Sequence, residues 1–271
     1  MSATTMIDPV SPELKQVLRA LKLGKMLHTL PERLTLAKQQ HLSHAAFLEL
    51  VLADEATRRD TQSAQLRARK AGLDPGMRIE TWDESAAVRY DRTLWNELTS
   101  LRFLDGPHGA CLLGAVGVGK THLATALGHI AVRRRHSVLM LRADALFKRL
   151  KAARLDNSVE AEMRRLTQVR LLLIDDFALQ PLHATETADF YELVVARHHT
   201  ASTVLTSNRE PAEWLAMMSD PLLAQSAVDR LTSTTHELVI EGESYRQRQK
   251  PGHAPSGASI DTTTTGDHDA H

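Results

Sequence analysis

Gly114-Ala115-Val116-Gly117-Val118-Gly119-Lys120-Thr121 is the stretch on which the reading of this chain turns. It satisfies a spacing in which a glycine, four free residues and a Gly-Lys pair precede a serine or threonine. Cys111-Leu112-Leu113 before it reads as the end of a buried strand, and His122-Leu123-Ala124-Thr125-Ala126-Leu127 after it as the start of a helix. A strand, a glycine-rich turn and a helix N-terminus in that order make a triphosphate site. Successive backbone N–H groups and the positive end of the helix dipole can hold the anionic oxygens. The glycines let the backbone approach them and take up positive φ. Lys120 is expected to reach the β- and γ-phosphates as a point charge, and the Thr121 hydroxyl to ligate Mg²⁺. The expected nucleotide-binding residues run from Gly114 through His122.

Leu171-Leu172-Leu173-Ile174-Asp175-Asp176 is a run of large apolar residues ending in two acids. Without polar alternation it suits a central parallel strand buried on both faces. Its C-terminal end is where open α/β sheets place their ligands. Asp175 is expected to hold Mg²⁺ through water, and Asp176 to orient or deprotonate an attacking water. Ser202-Thr203-Val204-Leu205-Thr206 reads as a further strand, with Asn208 at its tip. Asn208 fits either a group that senses the γ-phosphate or an ordinary turn into the next helix. From that segment alone the two readings stand level.

The chain has 271 residues, 33 of them basic and 33 acidic, enough for one large domain and a small one. The balanced charge excludes a globally basic nucleic-acid binder, so any DNA contact must come from local patches. The single cysteine, Cys111, excludes an internal disulfide framework and a cysteine-cluster zinc site. It is expected in the core. No apolar stretch approaches the length of a membrane span, and the N-terminus lacks the basic start and apolar core of a secretory signal. A cytoplasmic setting without membrane association is the expectation.

Residues 1–10 are expected to be disordered and 11–75 to form a small all-helical domain. In that domain Leu14, Val17, Leu18 and Leu21 recur at helical spacing, Pro31 breaks the run, and Ser43 caps a helix carrying Phe47, Leu50 and Val51. Arg58 and Arg59 lie towards its basic end, suited to phosphate-backbone contact or simply to a solvated face. Gly72 and Pro75-Gly76 mark a boundary. Residues 76–248 are expected to form the nucleotide domain, in which strands and helices alternate to give a parallel sheet covered by helices on both faces. Within it, Phe147 joins an apolar helical seam, while Lys148, Arg149, Lys151 and Arg154 supply charge. Residues 249–271, rich in Pro, Gly, Thr and Asp, are expected to be disordered.

With these elements placed, Gly119-Lys120-Thr121-His122-Leu123-Ala124, Asp229-Arg230-Leu231 and Gly242-Glu243-Ser244-Tyr245-Arg246 sharpen a likeness. Together the motifs resemble the IstB helper ATPases of insertion sequences, relatives of the DnaC-type helicase loaders. The resemblance implies an AAA+ phosphate-loop NTPase fold, ATP and Mg²⁺ as ligands, and ATP-controlled self-association on DNA. It also implies a cognate transposase as partner, guided to its target. Arg230 matches the family's arginine finger, which reaches the γ-phosphate held by a neighbouring subunit. Arg246 matches a second phosphate sensor. The helix from Phe147 to Arg154 matches a DNA-contacting region. Asp176 stands where most AAA+ proteins have Glu, which implies slower hydrolysis. Other readings share the same ATP site: a helicase loader acting on a replicative helicase, a metabolic phosphate-loop kinase, and an assembly switch with little turnover. The kinase reading lacks a Gly- or Arg-rich lid segment.

Overall fold

The computed structural model describes residues 10–83 and 88–245. The segments expected to be disordered, apart from Val10, lie outside the described residues, as does Arg246. Val10 itself is 3% exposed and packs with Leu18, Met26, Leu30 and Val51.

That region holds helices α1 (Pro12–Ala20), α2 (Leu30–Gln39) and α3 (His44–Lys70). Ser11 and Ser43 open α1 and α3 in the same way. Each side-chain oxygen accepts the N–H three residues on, at 3.2 Å, satisfying a donor that the first turn would otherwise leave orphaned. Pro31 does not interrupt a helix. The α1 helix has ended by Ala20, and Pro31 sits in the first turn of α2, where its missing N–H costs nothing.

With 27 residues, α3 is roughly 40 Å long at 1.5 Å per residue. Its first half packs in the N-terminal core through Val51, while Ala68, near its end, joins the core of the nucleotide domain with Ala71 and Leu73. Arg67 donates to the Val132 carbonyl, and the Met140 N–H donates to the Ala71 carbonyl at 2.7 Å. The chain around the expected boundary is therefore welded to the larger domain.

The larger domain adds strands β1 (Val88–Arg89), β2 (Gly109–Gly114), β3 (Val138–Arg142), β4 (Leu171–Phe177), β5 (Ser202–Ser207) and β6 (Thr235–Gly242). Its helices are α4 (Arg92–Ser100), α5 (Lys120–Arg133), α6 (Ala143–Leu155), α7 (Val159–Gln168), α8 (Ala184–Arg197), α9 (Pro211–Trp214) and α10 (Pro221–Thr232). The sheet order is β1-β6-β2-β5-β4-β3, parallel throughout except for the short antiparallel β1 at the edge.

Successive strand residues face opposite sides, so the apolar strands divide between two cores. Leu112, Leu171, Leu173 and Val204 pack with Leu123 and Leu127 of α5 on one face. Cys111, Leu113, Leu172, Ile174 and Leu205 pack with Leu146 and Phe147 of α6 and Phe190 of α8 on the other. The expected fold class stands: a parallel sheet with helices on both faces, preceded by a helical region. Burial also pushes the Cys111 thiol far up, as befits an inert core residue. Among the described residues, no helix is long and apolar enough to cross a membrane.

Candidate functional site

The strand order fixes the site. Because β5 lies between β2 and β4, the ends of the three strands bring the phosphate loop, Asn208 and the paired acids to one edge of the sheet. The loop closes with Gly119 (φ +101°) immediately before α5, so the N-terminal end of that helix opens onto it.

Two glycines show why side chains are excluded. A Cβ on Gly117 (φ +87°) would stand 2.1 Å from Ser244 Oγ, and one on Gly119 would stand 2.5 Å from the Trp82 ring. The loop is thus held between the indole of Trp82 and the segment that follows β6. Val118 is buried at 1% exposure, whereas Val116 is exposed at the loop's tip.

Lys120 is 6% exposed, and its ammonium donates to the carbonyls of Gly114 at 2.8 Å and Ala115 at 2.6 Å. A buried ammonium needs such acceptors, and a polyphosphate offers stronger ones. Beside it, Thr121 Oγ1 donates to Asp175 Oδ1 at 2.9 Å. Asp175 is 5% exposed, and the same oxygen accepts a second bond from Thr206 Oγ1 at 2.6 Å. His122 faces away from the acids. Its Nε2 lies 2.8 Å from the Arg78 carbonyl oxygen, and its ring meets Trp82 edge-on at 5.2 Å. Trp82 therefore sits at the loop, against both Gly119 and His122.

Asp176 takes φ +54°, unusual for a residue with a side chain, at a register irregularity of β4 against β5 between Ile174 and Phe177. Its N–H donates to Thr206 Oγ1 at 3.0 Å, so one hydroxyl fixes both acids. The Asp176 carboxylate is 31% exposed and stands 3.6 Å from the Arg142 guanidinium at the end of β3. Sequence reasoning missed Thr206 and Arg142 as functional positions. Thr206 carries no distinguishing local signal, since Ser202, Thr203 and Ser207 of the same strand also bear hydroxyls. Asn208 is exposed at the strand tip beyond Thr206.

Arg230 is not brought to this edge. It lines a cleft with Gly109, Thr203 and Thr235, at the starts of β2, β5 and β6, and donates to Ser226. Five residue steps of β2 separate the two ends, roughly 17 Å at 3.3 Å per residue. That is too far for Arg230 to reach the phosphate loop of its own chain.

The basic positions also separate. Phe147 is 4% exposed and belongs to the core, and Arg154 is tied to buried Asp189, with Nη1 donating to Oδ2 at 2.8 Å. Lys148, Arg149 and Lys151 remain on the exposed side of α6, Lys148 beside Asp144 and Arg149 beside Glu162. Arg58 and Arg59 both donate to Glu55, which is 5% exposed. The Arg58 bonds, helped by Arg59, hold the Glu55 carboxyl down to about 2 against its burial.

Residues 16–252 match the sequence model of the family described as IstB-like ATP binding protein. The chain belongs to that family. Among its relatives, a Mycobacterium tuberculosis protein named for ATP binding in an insertion sequence is 36% identical, with 90% of this chain and 98% of that protein covered. A protein of the insertion sequence IS21 from Pseudomonas aeruginosa, also named for ATP binding, is 34% identical over 88% of this chain and 90% of its own length. Of solved structures, DnaI superposes with a TM-score of 0.53 at 20% identity, covering 60% of this chain and 90% of that one. AMPPCP-bound DnaA from Aquifex aeolicus gives 0.50 at 22% identity, over 61% and 50% respectively. These two likenesses place the IstB-like chain in the AAA+ phosphate-loop fold.

Proposed function

We propose that this chain is an ATP-binding and ATP-hydrolysing helper that assembles on DNA and assists a partner transposase in target selection during insertion-sequence transposition. The observation that carries the reading is the constellation of Lys120, Thr121 and Asp175 at one edge of the sheet, with Asp176 beside it, in a chain whose relatives are named for ATP binding in insertion sequences.

The residues present fit Mg²⁺ and a triphosphate. The Thr121 hydroxyl and the Asp175 carboxylate are hard oxygen donors already 2.9 Å apart, and the glycine loop leaves room that side chains would fill. Bound there, the ion would neutralise charge on the β- and γ-phosphates. Lys120 exchanges its two carbonyl acceptors for phosphate oxygens. Thr206 keeps Asp175 aligned for the ion's water shell and fixes the backbone of Asp176. Asp176 orients the attacking water and takes its proton, with Asn208 as a second contact to the water or the γ-phosphate. Arg230 serves the site of a neighbouring copy, which ties turnover to assembly. Lys148, Arg149 and Lys151 form the DNA-facing surface of α6, and Arg58 with Arg59 a second one, where their pairing with Glu55 leaves each partly exposed.

A phosphate-release assay with DNA, run on variants, tests the reading. Lys120→Ala is expected to lose nucleotide binding, and Arg230→Ala to bind ATP normally but not turn it over. Full hydrolysis by Arg230→Ala would remove the role in a neighbouring site. Recovery of a hexameric helicase and no transposase in a pull-down would replace the transposition role with helicase loading.

A further inference from the structure

Gly242-Glu243-Ser244-Tyr245 belongs to a motif that the hydrolysis scheme above leaves without a task. The structure places it against the phosphate loop. Strand β6 runs parallel to β2 with Ile240 opposite Gly114, so the chain leaves β6 beside the point where the loop begins. It turns at Gly242 (φ +142°) and crosses the loop. There the Tyr245 N–H donates to the Gly117 carbonyl at 2.9 Å. Ser244 comes so close that a Cβ on Gly117 would be 3.3 Å from its Cα as well as clashing with its side chain. The Ser244 side chain occupies the space that a Cβ on residue 117 would need, which accounts for both the glycine at 117 and the small serine at 244.

A trans peptide carries its C=O and its N–H on opposite sides. A donor that captures the Gly117 carbonyl from the strap side therefore turns the Val118 N–H to the other side. We propose that Ser244 and Tyr245 form a positioning strap, which fixes the Gly117–Val118 peptide so that its N–H is aimed at the nucleotide's phosphates before they arrive. The proposal rests on the nucleotide-binding reading above. It assigns the strap to phosphate affinity, with the Tyr245 main-chain N–H as the working group. Preorganisation of this kind lowers the ordering cost of binding.

Calorimetric titration of the full chain with Mg-ATP tests it. Tyr245→Pro deletes the N–H, whereas Tyr245→Ala keeps it. Loss of one such hydrogen bond is expected to raise Kd about threefold to tenfold in Tyr245→Pro, with Tyr245→Ala within about twofold of the wild type. Ser244→Val, which crowds Gly117 and displaces the strap, is expected to weaken binding in the same direction. Thermal unfolding without nucleotide is expected to stay within about 2 °C of the wild type for all three, since the strap lies at the surface. Wild-type affinity in both Tyr245→Pro and Ser244→Val would overturn the strap, and so would an equal loss in Tyr245→Ala. If the wild type and Lys120→Ala alike take up no nucleotide, the nucleotide reading fails and the strap with it. Binding that Lys120→Ala abolishes and Tyr245→Pro retains sinks the strap alone.

Discussion

Thr206→Val keeps the side chain's shape and removes one hydroxyl. That hydroxyl donates to the buried carboxylate of Asp175 at 2.6 Å and accepts the Asp176 N–H at 3.0 Å, at a residue 1% exposed. A hydrogen bond to a charged group contributes about 1.5–3 kcal/mol and a neutral one about 0.5–1.5 kcal/mol. The sum is a ceiling, because Asp175 keeps its bond from Thr121. A net loss of about 2–3 kcal/mol is expected, which for a domain of this size lowers Tm by roughly 5–10 °C. The site is affected separately. With one tether gone, Asp175 is held by the Thr121 hydroxyl alone, a group the ion would also use, and Mg-ATP is expected to raise Tm less than it does in the wild type. Thermal unfolding with and without Mg-ATP measures both effects, and Thr206→Ser, which restores the hydroxyl, is expected to recover most of each. The reasoning is refuted if Thr206→Val melts within about 1 °C of the wild type with an equal ligand shift, or if Thr206→Ser behaves like Thr206→Val.

Arg154→Ala strands the Asp189 carboxylate, whose side chain is 3% exposed, and is expected to cost about 3 kcal/mol of stability by denaturant unfolding. Lys148→Ala with Lys151→Ala is expected to leave stability within about 0.5 kcal/mol while flattening the salt dependence of DNA affinity. The acid limb of stability should carry a contribution from Glu55, whose folded pKa of about 2 lies below its ordinary 4.5. That contribution is complete above about pH 4.5 and is lost as pH falls towards 2, so Glu55→Gln is expected to show a shallower decline over that window. Cys111, fully buried, is expected to resist thiol reagents in the native state and to react at the global unfolding rate; rapid labelling would contradict the core packing.

The phosphate loop and the acid-bearing strand were legible in the sequence because their chemistry admits few residue types at fixed spacing. The strands β2 and β4 were legible because burial on both faces leaves continuous apolar runs, and β5 because of its β-branched residues. The strand β6 escaped, although Leu238 and Ile240 alternate with the exposed Glu237, Val239 and Glu241 in the manner of a half-buried strand. The motif on either side of it drew attention to single residues instead. Leu14, Val17 and Leu21 announced a helix correctly, yet they are 42%, 53% and 62% exposed, and Leu18 is the residue of α1 that enters the core. Periodicity reports a face and does not report what covers it. Thr206 and Arg142 were invisible for another reason. Their importance arises from contacts across strands 30 and more residues apart, and no local pattern encodes a contact of that range.

The position of Arg230 turns a fold property into an assembly argument. Parallel strands put all the loops that follow them on one edge of the sheet, and so the nucleotide chemistry gathers there. The opposite edge, where β2, β5 and β6 begin, holds Arg230 with its guanidinium against Ser226 and near the Tyr191 ring at 5.9 Å. Within one chain these two edges cannot meet. On the reading proposed above, a second copy must therefore set its Arg230 edge against the first copy's nucleotide edge, which is a head-to-tail contact and not a two-fold one. Contacts of that kind repeat. Each copy then offers one site and one arginine, so an isolated chain holds an incomplete site, an open row of copies completes every site but the last, and a closed ring completes them all. On the same reading, hydrolysis is expected to rise with the number of neighbours, and DNA bound along the exposed side of α6 to raise turnover by gathering copies without touching the phosphate loop.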